Sequence, residues 1–252
     1  MSKIAIFYFS GTGNTEFVCK CYKKYFEEKS LPTEMFPIET IQELPDLTQY
    51  EYIGIGFPIY AFSYSPNMDA FFEKIPSAQK GQKCFIIATC NGGYFNAVGQ
   101  ASEKMKEKGY EIRRSRAFVM PSNFTVLPFN SKPSKSSIEE KANKSEERAK
   151  QTIEEILEGK TKVDTQFWVI GAVLSVIISF FFRKFGTVNM SKKYFVGENC
   201  ISCGLCAKTC PMENIEMVNG KPAFGRNCIV CCRCYTPMTI KCHENILSVL
   251  HG

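Results

Sequence analysis

Cysteine spacing is the feature that most constrains how this chain can fold. Nine of its 13 cysteines lie between Cys200 and Cys242. The first run has the spacing C-x2-C-x2-C-x3-C-P and consists of Cys200, Cys203, Cys206 and Cys210 with Pro211. Two-residue gaps let the backbone curl around a compact inorganic cluster, so that several thiolates can reach it. The segment 191–252 is therefore expected to fold around metal, because a core of that size is marginal alone.

A second run repeats the three-residue spacing, from Cys228 through Cys231 to Cys234, but holds no cysteine at the expected fourth position. Two residues can complete it. Cys232 adjoins Cys231, and neighbouring side chains of an extended chain point apart. Cys242 is favoured, because CHENIL matches CPMENI after the first run once a four-residue insertion is allowed. Cys232, or a three-iron cluster, remains the alternative.

The kind of metal follows from the two triplets. A structural zinc site needs four ligands, usually in two pairs with a longer loop between them. Two triplets at a three-residue spacing favour iron–sulfur over zinc. Residues 195–250 resemble the bacterial ferredoxins that hold two 4Fe-4S clusters. That resemblance implies a crossed ligand set, in which Cys200, Cys203 and Cys206 share one cluster with Cys242, while Cys228, Cys231 and Cys234 share the other with Cys210.

The first 120 residues alternate apolar runs with segments of helical spacing. Buried strands are predicted at 3–9, 51–57 and 83–89, with weaker strands at 31–38 and 113–120. Helices are predicted between them and after them, at 14–29, 65–75, 96–109 and 138–159. This order predicts an α/β fold with a doubly wound, five-stranded parallel sheet.

A polar loop follows the first strand and opens the first helix. Its residues are Ser10, Gly11, Thr12, Gly13, Asn14 and Thr15. Small residues allow close backbone approach, and a helix N-terminus favours an anion. The loop has no Lys, so it is neither a Walker A loop nor a dinucleotide turn. It suits one phosphate monoester held by neutral donors.

The sequence FSGTGNT is similar to the phosphate loop of flavodoxins, which hold FMN, and the resemblance covers about residues 3–158. It implies two more FMN-binding loops at the carboxyl ends of strands. The second would contribute Pro58, Ile59, Tyr60 and Phe62, and the third Thr89, Asn91, Gly92, Gly93, Tyr94 and Phe95. Tyr60, Phe62, Tyr94 and Phe95 would contact the flavin ring. Two features depart from the family: the only Trp is Trp168, outside these loops, and the domain is nearly neutral instead of acidic.

An apolar segment, 167–182, separates the two halves. It has 16 uncharged residues, fewer than the roughly 17–25 of a spanning helix. The prediction is a hydrophobic linker helix docked between the modules, and membrane association is the less favoured alternative. The expected organisation is a flavodoxin-like domain at 1–160, a linker at 161–190 and a ferredoxin-like domain at 191–252.

Together the halves resemble fused flavodoxin–ferredoxin proteins of anaerobic bacteria and archaea. The resemblance implies an electron relay between two 4Fe-4S clusters and FMN, serving a redox partner protein. The net charge of +6 does not argue for nucleic acid, and the histidines, His243 and His251, suggest no acid–base constellation. No catalytic residue is therefore named. The chain start lacks a signal-peptide pattern, which with the cysteines indicates the cytoplasm.

Three alternatives stay open from the sequence. The first is an FMN-dependent reductase of a small molecule, such as a quinone or a nitro compound, fed by the clusters. The second is a membrane-associated electron-input subunit. The third assigns the clusters a structural or sensory role.

Overall fold

Buried parallel strands form the centre of the first half of the chain. The structure is a computed structural model that describes residues 2–123, 133–166, 168–187, 189, 192, 194, 196–198 and 200–235. It divides into two compact units. The first holds Met1–Ser122 and Pro133–Ser179, and the second holds Asn123 and the described residues from Phe180 onward.

The sheet of the first unit has the strand order β2-β1-β3-β5-β6. Its strands are β1 (Lys3–Tyr8), β2 (Thr33–Pro37), β3 (Tyr50–Tyr60), β5 (Lys83–Cys90) and β6 (Glu111–Ile112). Neighbours in this order pair in parallel. The chain moves outward from β1 to β2, then returns to β3 on the other side, which is the flavodoxin-like doubly wound order. The predicted fold class of this unit is confirmed.

Two strands depart from the predicted set. β7 (Arg116–Val119) also pairs with β5, so the fifth strand is interrupted at 113–115. β4 (Ser63–Tyr64) was not predicted and forms an antiparallel hairpin with the end of β3. As a result β3 runs three residues beyond its predicted end, and Pro58, Ile59 and Tyr60 are strand residues instead of loop residues.

The helices lie where the periodicity places them. They are α1 (Asn14–Glu28), α2 (Met68–Lys74), α3 (Ala97–Glu107), α4 (Lys135–Leu157) and α5 (Trp168–Phe181), the last continued by a π-helical turn, Phe182–Gly186. The side chains of alternate β1 residues pack on opposite faces of the sheet. Ile4 and Ile6 belong to the core beneath α1 and α4, whereas the ring of Phe7 lies 5.3 Å from that of Phe71 in α2.

The second unit contains little regular structure in its described residues. A short helix, Leu205–Thr209, precedes a hairpin of β8 (Ile215–Val218) and β9 (Lys221–Phe224). Asn219 and Gly220 form its turn with φ of 49° and 77°, the left-handed pair that favours a tight hairpin. Cys242, the predicted eighth ligand, lies outside the described residues.

Candidate cofactor sites

The loop after β1 is held in shape by Ser10. Its buried Oγ accepts hydrogen bonds from the backbone N–H groups of Gly13 at 3.1 Å and Glu16 at 3.2 Å. Gly13 has φ of 101°, a left-handed conformation that favours glycine, and the next residue begins α1. The loop therefore turns directly into a helix N-terminus, where the dipole favours an anion.

Two predicted phosphate-loop side chains bind within the protein. Oγ1 of Thr15 lies 2.8 Å from Oγ1 of Thr89, a buried hydrogen bond that ties the start of α1 to the end of β5. Nδ2 of Asn14 donates to the carbonyl of Pro121 at 2.8 Å. The first contact connects this loop with the third loop and the second connects it with the residues after β7, so both a hydroxyl and an amide group position the loop.

The second predicted loop is a tight hairpin turn between β3 and β4. Its central residues, Ala61 and Phe62, have φ of 47° and 64°. A left-handed conformation costs a residue with a Cβ about 1–2 kcal/mol. Backbone strain of this kind is concentrated at ligand sites. Phe62 is thereby held at the carboxyl edge of the sheet.

The third predicted loop is anchored by a residue that the sequence did not reveal. Oε1 of Gln166 accepts from the backbone N–H groups of Tyr94 at 2.8 Å and Phe95 at 3.2 Å. The backbone N–H of Gln166 donates in return to the carbonyl of Phe95 at 2.7 Å. Phe95 itself has φ of 39°. Three hydrogen bonds thus fix the loop to the segment that follows α4.

The second and third loops meet through their aromatic rings. The rings of Phe62 and Phe95 stack with centroids 4.1 Å apart and planes inclined by 14°. A Cβ at Gly93 would lie 3.0 Å from the ring of Phe62, so any larger residue there would press on that ring. Asn91 accepts a hydrogen bond from Lys141 of α4 at 3.2 Å. The structure therefore brings all three predicted loops to one edge of the sheet.

Cys90 lies in the third loop without the features of a reactive thiol. Its Sγ donates to the carbonyl of Gly92 at 3.4 Å, and burial raises the pKa of the thiol. Reactive cysteines need a lowered pKa. The raised pKa and the hydrogen bond to Gly92 favour a structural role in the loop.

In the second unit, cysteines of both runs line one cavity. Cys210 of the first run lies there with Cys228, Cys231 and Cys234 of the second. Their neighbours are mainly apolar and include Tyr194, Pro211, Met212, Ile215, Phe224 and Ile229. Cys210 of the first run therefore lies beside cysteines of the second run, as the expected crossed ligand set predicts.

Within the described residues, no three Cys, His, Asp or Glu side chains converge closely enough to share one metal ion. Four cysteines around one cavity do not conflict with that finding. Ligands of a single zinc ion must all lie about 2.3 Å from one point, whereas ligands of a cluster bind different irons and stand farther apart.

Cys232 lines the same cavity, and this corrects one step of the sequence argument. Val230 and Cys232 have φ of 59° and 58°, so the backbone here is a turn and not an extended chain. Cys231 and Cys232 consequently both reach the cavity. The preference for Cys242 now depends on the register of the duplicated run alone.

The part of this chain that is similar to known proteins lies in the first unit. No family model and no curated protein matches the chain. Solved structures that match about 60% of the chain include flavodoxins. A Streptococcus pneumonia TIGR4 flavodoxin is 16% identical, with 62% of this chain and 99% of that chain covered and a TM-score of 0.47. Two-electron reduced Megasphaera elsdenii flavodoxin is 18% identical, with 57% of this chain and 98% of that chain covered and a TM-score of 0.42. Oxidised Flavodoxin 1 from Bacillus cereus is 20% identical, with 57% of this chain and 95% of that chain covered and a TM-score of 0.41.

Proposed function

We propose that this protein transfers electrons between FMN, held by the first unit, and two 4Fe-4S clusters, held by the second. The observation that carries the proposal is the cavity where Cys210 joins Cys228, Cys231 and Cys234. A simple zinc knuckle takes its ligands from one short run, so it does not need a ligand set drawn from two cysteine runs. It is the arrangement expected of a two-cluster protein.

The edge of the sheet fits FMN in two respects. The first turn of α1 and its polar loop suit a phosphate monoester, since they combine a helix N-terminus with small polar residues and contain no cation. Phe62 and Phe95 stack on each other at this edge, so a flat aromatic ring would pack against an outer face of the pair and not between the two rings. Bound FMN would supply a centre that accepts one or two electrons. The chain's own loops would hold and orient it.

The cysteines fit clusters by their chemistry. Thiolates are the usual ligands of 4Fe-4S clusters, and an apolar surround such as Ile215, Phe224 and Ile229 limits water access, which tunes the potential. Each bound cluster would exchange one electron. Cys200, Cys203 and Cys206 would hold the other cluster with Cys242.

The covalent link between the units supports the relay. Two redox centres on one chain meet at a high effective concentration without a diffusive encounter. An external redox protein would exchange electrons with one end of the relay. Thiolate ligands require a reducing environment, so the proposal places the protein in the cytoplasm.

Anaerobic purification tests the proposal directly. Iron, acid-labile sulfide and flavin would be quantified per chain. We expect about eight irons, about eight sulfides and one FMN. Zinc in place of iron would contradict the cluster assignment, and a protein that neither retains nor takes up FMN would contradict the flavin assignment.

The eighth ligand is tested by a matched pair of variants. Cys242→Ser should lose one cluster or convert it to a three-iron form, because the cluster of Cys200, Cys203 and Cys206 then lacks its fourth thiolate. Cys232→Ser should keep both clusters. Iron content and low-temperature electron paramagnetic resonance of the oxidised and the reduced protein would report each result, and the reverse outcome would assign Cys232 as the ligand.

A further inference from the structure

Helix α5 and the π-helical turn after it expose an unusually apolar surface. Ten large apolar side chains are each at least 36% exposed, at positions 169, 170, 173, 174, 176, 177, 178, 180, 181 and 185. Among the described residues, Val169–Gly186 is the one helix long and apolar enough to cross a membrane, yet only 17% of it is buried. Soluble monomers rarely expose contiguous apolar patches beyond about 300–600 Å².

The polarity of α5 is the reverse of an ordinary surface helix. Gly171, Ser175 and Ser179 recur every four residues and form its buried face. Oγ of Ser175 accepts a hydrogen bond from Nε2 of Gln100 in α3 at 2.7 Å. An amphipathic helix on a soluble protein normally turns its apolar stripe inward and its polar stripe to water. Here the small and polar face packs on the first unit, and the apolar face is outside.

The described part of the chain offers little that would cover this face. In the described residues of the second unit beyond the π-helical turn, Ile201 and Val218 are the large apolar side chains that are exposed. Two such side chains are too few to bury ten. The ten side chains of α5 and the π-helical turn are therefore open to a surface from outside the described residues.

The charges around the helix indicate which surface that is. Residues 165–197 contain no Asp or Glu but four cations: Arg183, Lys184, Lys192 and Lys193. Nζ of Lys184 lies 5.6 Å from the ring of Phe180 and 5.5 Å from that of Phe185, so a cation stands at the border of the apolar face. Clustered Lys and Arg beside an apolar helix bind anionic lipid headgroups.

We propose that α5 docks this protein on an anionic phospholipid bilayer, lying along its surface with the outward side chains inserted and the cations at the headgroups. A helix that crossed the bilayer would have to leave the first unit, which would expose the buried face of Gly171, Ser175 and Ser179. An in-plane helix keeps that face packed. Both units then stay on the same side of the membrane, which leaves the electron relay intact.

This docking would also bring the edge of the sheet where we propose that FMN binds close to the bilayer. The segment entering α5 holds the third loop through Gln166, and Gln100, which bonds to Ser175, also accepts from Ser63 of the hairpin at 2.6 Å. Two glutamines thus connect the lipid-binding helix with both ring-binding loops.

Vesicle flotation tests the inference on the full chain with its cofactors. The probes are vesicles of phosphatidylcholine alone and vesicles of phosphatidylcholine with phosphatidylglycerol. The protein should float with the anionic vesicles and more weakly with the neutral ones. Ile170→Ser with Ile177→Ser removes two outward side chains, and the bound fraction should fall about tenfold or more. Lys184→Gln with Lys192→Gln should reduce the preference for anionic vesicles.

The matched control is Ile138→Ser with Leu157→Ser, which removes two exposed apolar side chains from α4. It should float like the parent protein. Flavin content of each variant would show that the first unit still folds. A parent protein that stays at the bottom with both vesicles, or a control that loses as much binding as the α5 variant, would overturn the inference. So would a concentration-dependent dimer that the α5 variant abolishes, since the apolar face would then bind a second copy.

Protease protection distinguishes the in-plane helix from a crossing one. In inside-out membrane vesicles from the expressing cells, added protease should digest both units. Protection of one unit would show that α5 crosses the bilayer and would overturn the in-plane arrangement.

Discussion

Gln166 is the residue on which the third predicted loop depends most directly. One side-chain oxygen accepts two backbone N–H groups, from Tyr94 and Phe95, while the backbone N–H of Gln166 returns a bond to Phe95. Its contribution is to hold a strained loop in one conformation. A loop that is already ordered loses less entropy when a ligand binds.

We predict that Gln166→Ala weakens FMN binding about fivefold to thirtyfold, because two loop N–H groups lose their acceptor at a net cost of about 1–2 kcal/mol. Flavin fluorescence titration of the apoprotein would measure the change. Gln166→Glu keeps an acceptor oxygen at the same reach and should bind FMN more tightly than the Ala variant. Equal affinity of the Ala variant and the parent would show that the loop does not need this anchor.

At the scale of elements, a buried ion-pair network joins the interrupted fifth strand to α4 and to the segment after it. Arg114 is 4% exposed in its side chain and pairs with Glu155 at 2.8 Å and Asp164 at 2.7 Å. Asp164, 8% exposed, also pairs with Arg148 at 3.2 Å. Breaking a buried pair leaves a charge unpaired, which costs far more than losing a surface pair.

We predict that Asp164→Ala lowers the free energy of unfolding of the first unit by about 3–5 kcal/mol, since it leaves the buried guanidinium of Arg114 short of a partner. Urea denaturation followed by far-ultraviolet circular dichroism would measure it. Glu158→Ala is the control: it removes an exposed pair with Lys160 and should change stability by at most about 1 kcal/mol. Similar losses in the two variants would mean that the network adds no more than surface charges do.

At the scale of the whole molecule, the two units differ in what stabilises them. The first has an extensive core of fully buried side chains such as Phe7, Tyr22 and Phe85. Beyond the π-helical turn, the described residues of the second contain one short helix and one hairpin, with cysteines around its cavity. Metal binding often supplies the folding energy of a small domain of this kind.

We predict that removal of iron unfolds the second unit and leaves the first folded. Treatment with a chelator and an oxidant, followed by limited proteolysis and mass spectrometry, should produce cleavage after residue 190 and an intact fragment that covers the first unit. Retained flavin would show that the fragment still folds. Simultaneous loss of both units would instead indicate that they fold as one.

Much of the first unit could be predicted because its elements carry local patterns. Continuous apolar runs indicated the central strands, and a helical period indicated α1, α3 and α4. The β4 hairpin was missed because its turn residues, Ala61 and Phe62, are not the Asn and Gly that usually signal such a turn. Their conformation is imposed by the surrounding structure.

The sequence by itself determined the order of strands and helices, the polar loop before α1 and the spacing of the cysteines, because each of these is written in neighbouring residues. Tertiary structure alone decided that Gln166 supports a loop some 70 positions earlier, that Cys231 and Cys232 line one cavity, and that α5 turns its apolar face outward. The physical reason is the range of the interaction. A local pattern shows which side of an element is apolar, but only packing against distant segments determines whether that side is buried or left for a partner.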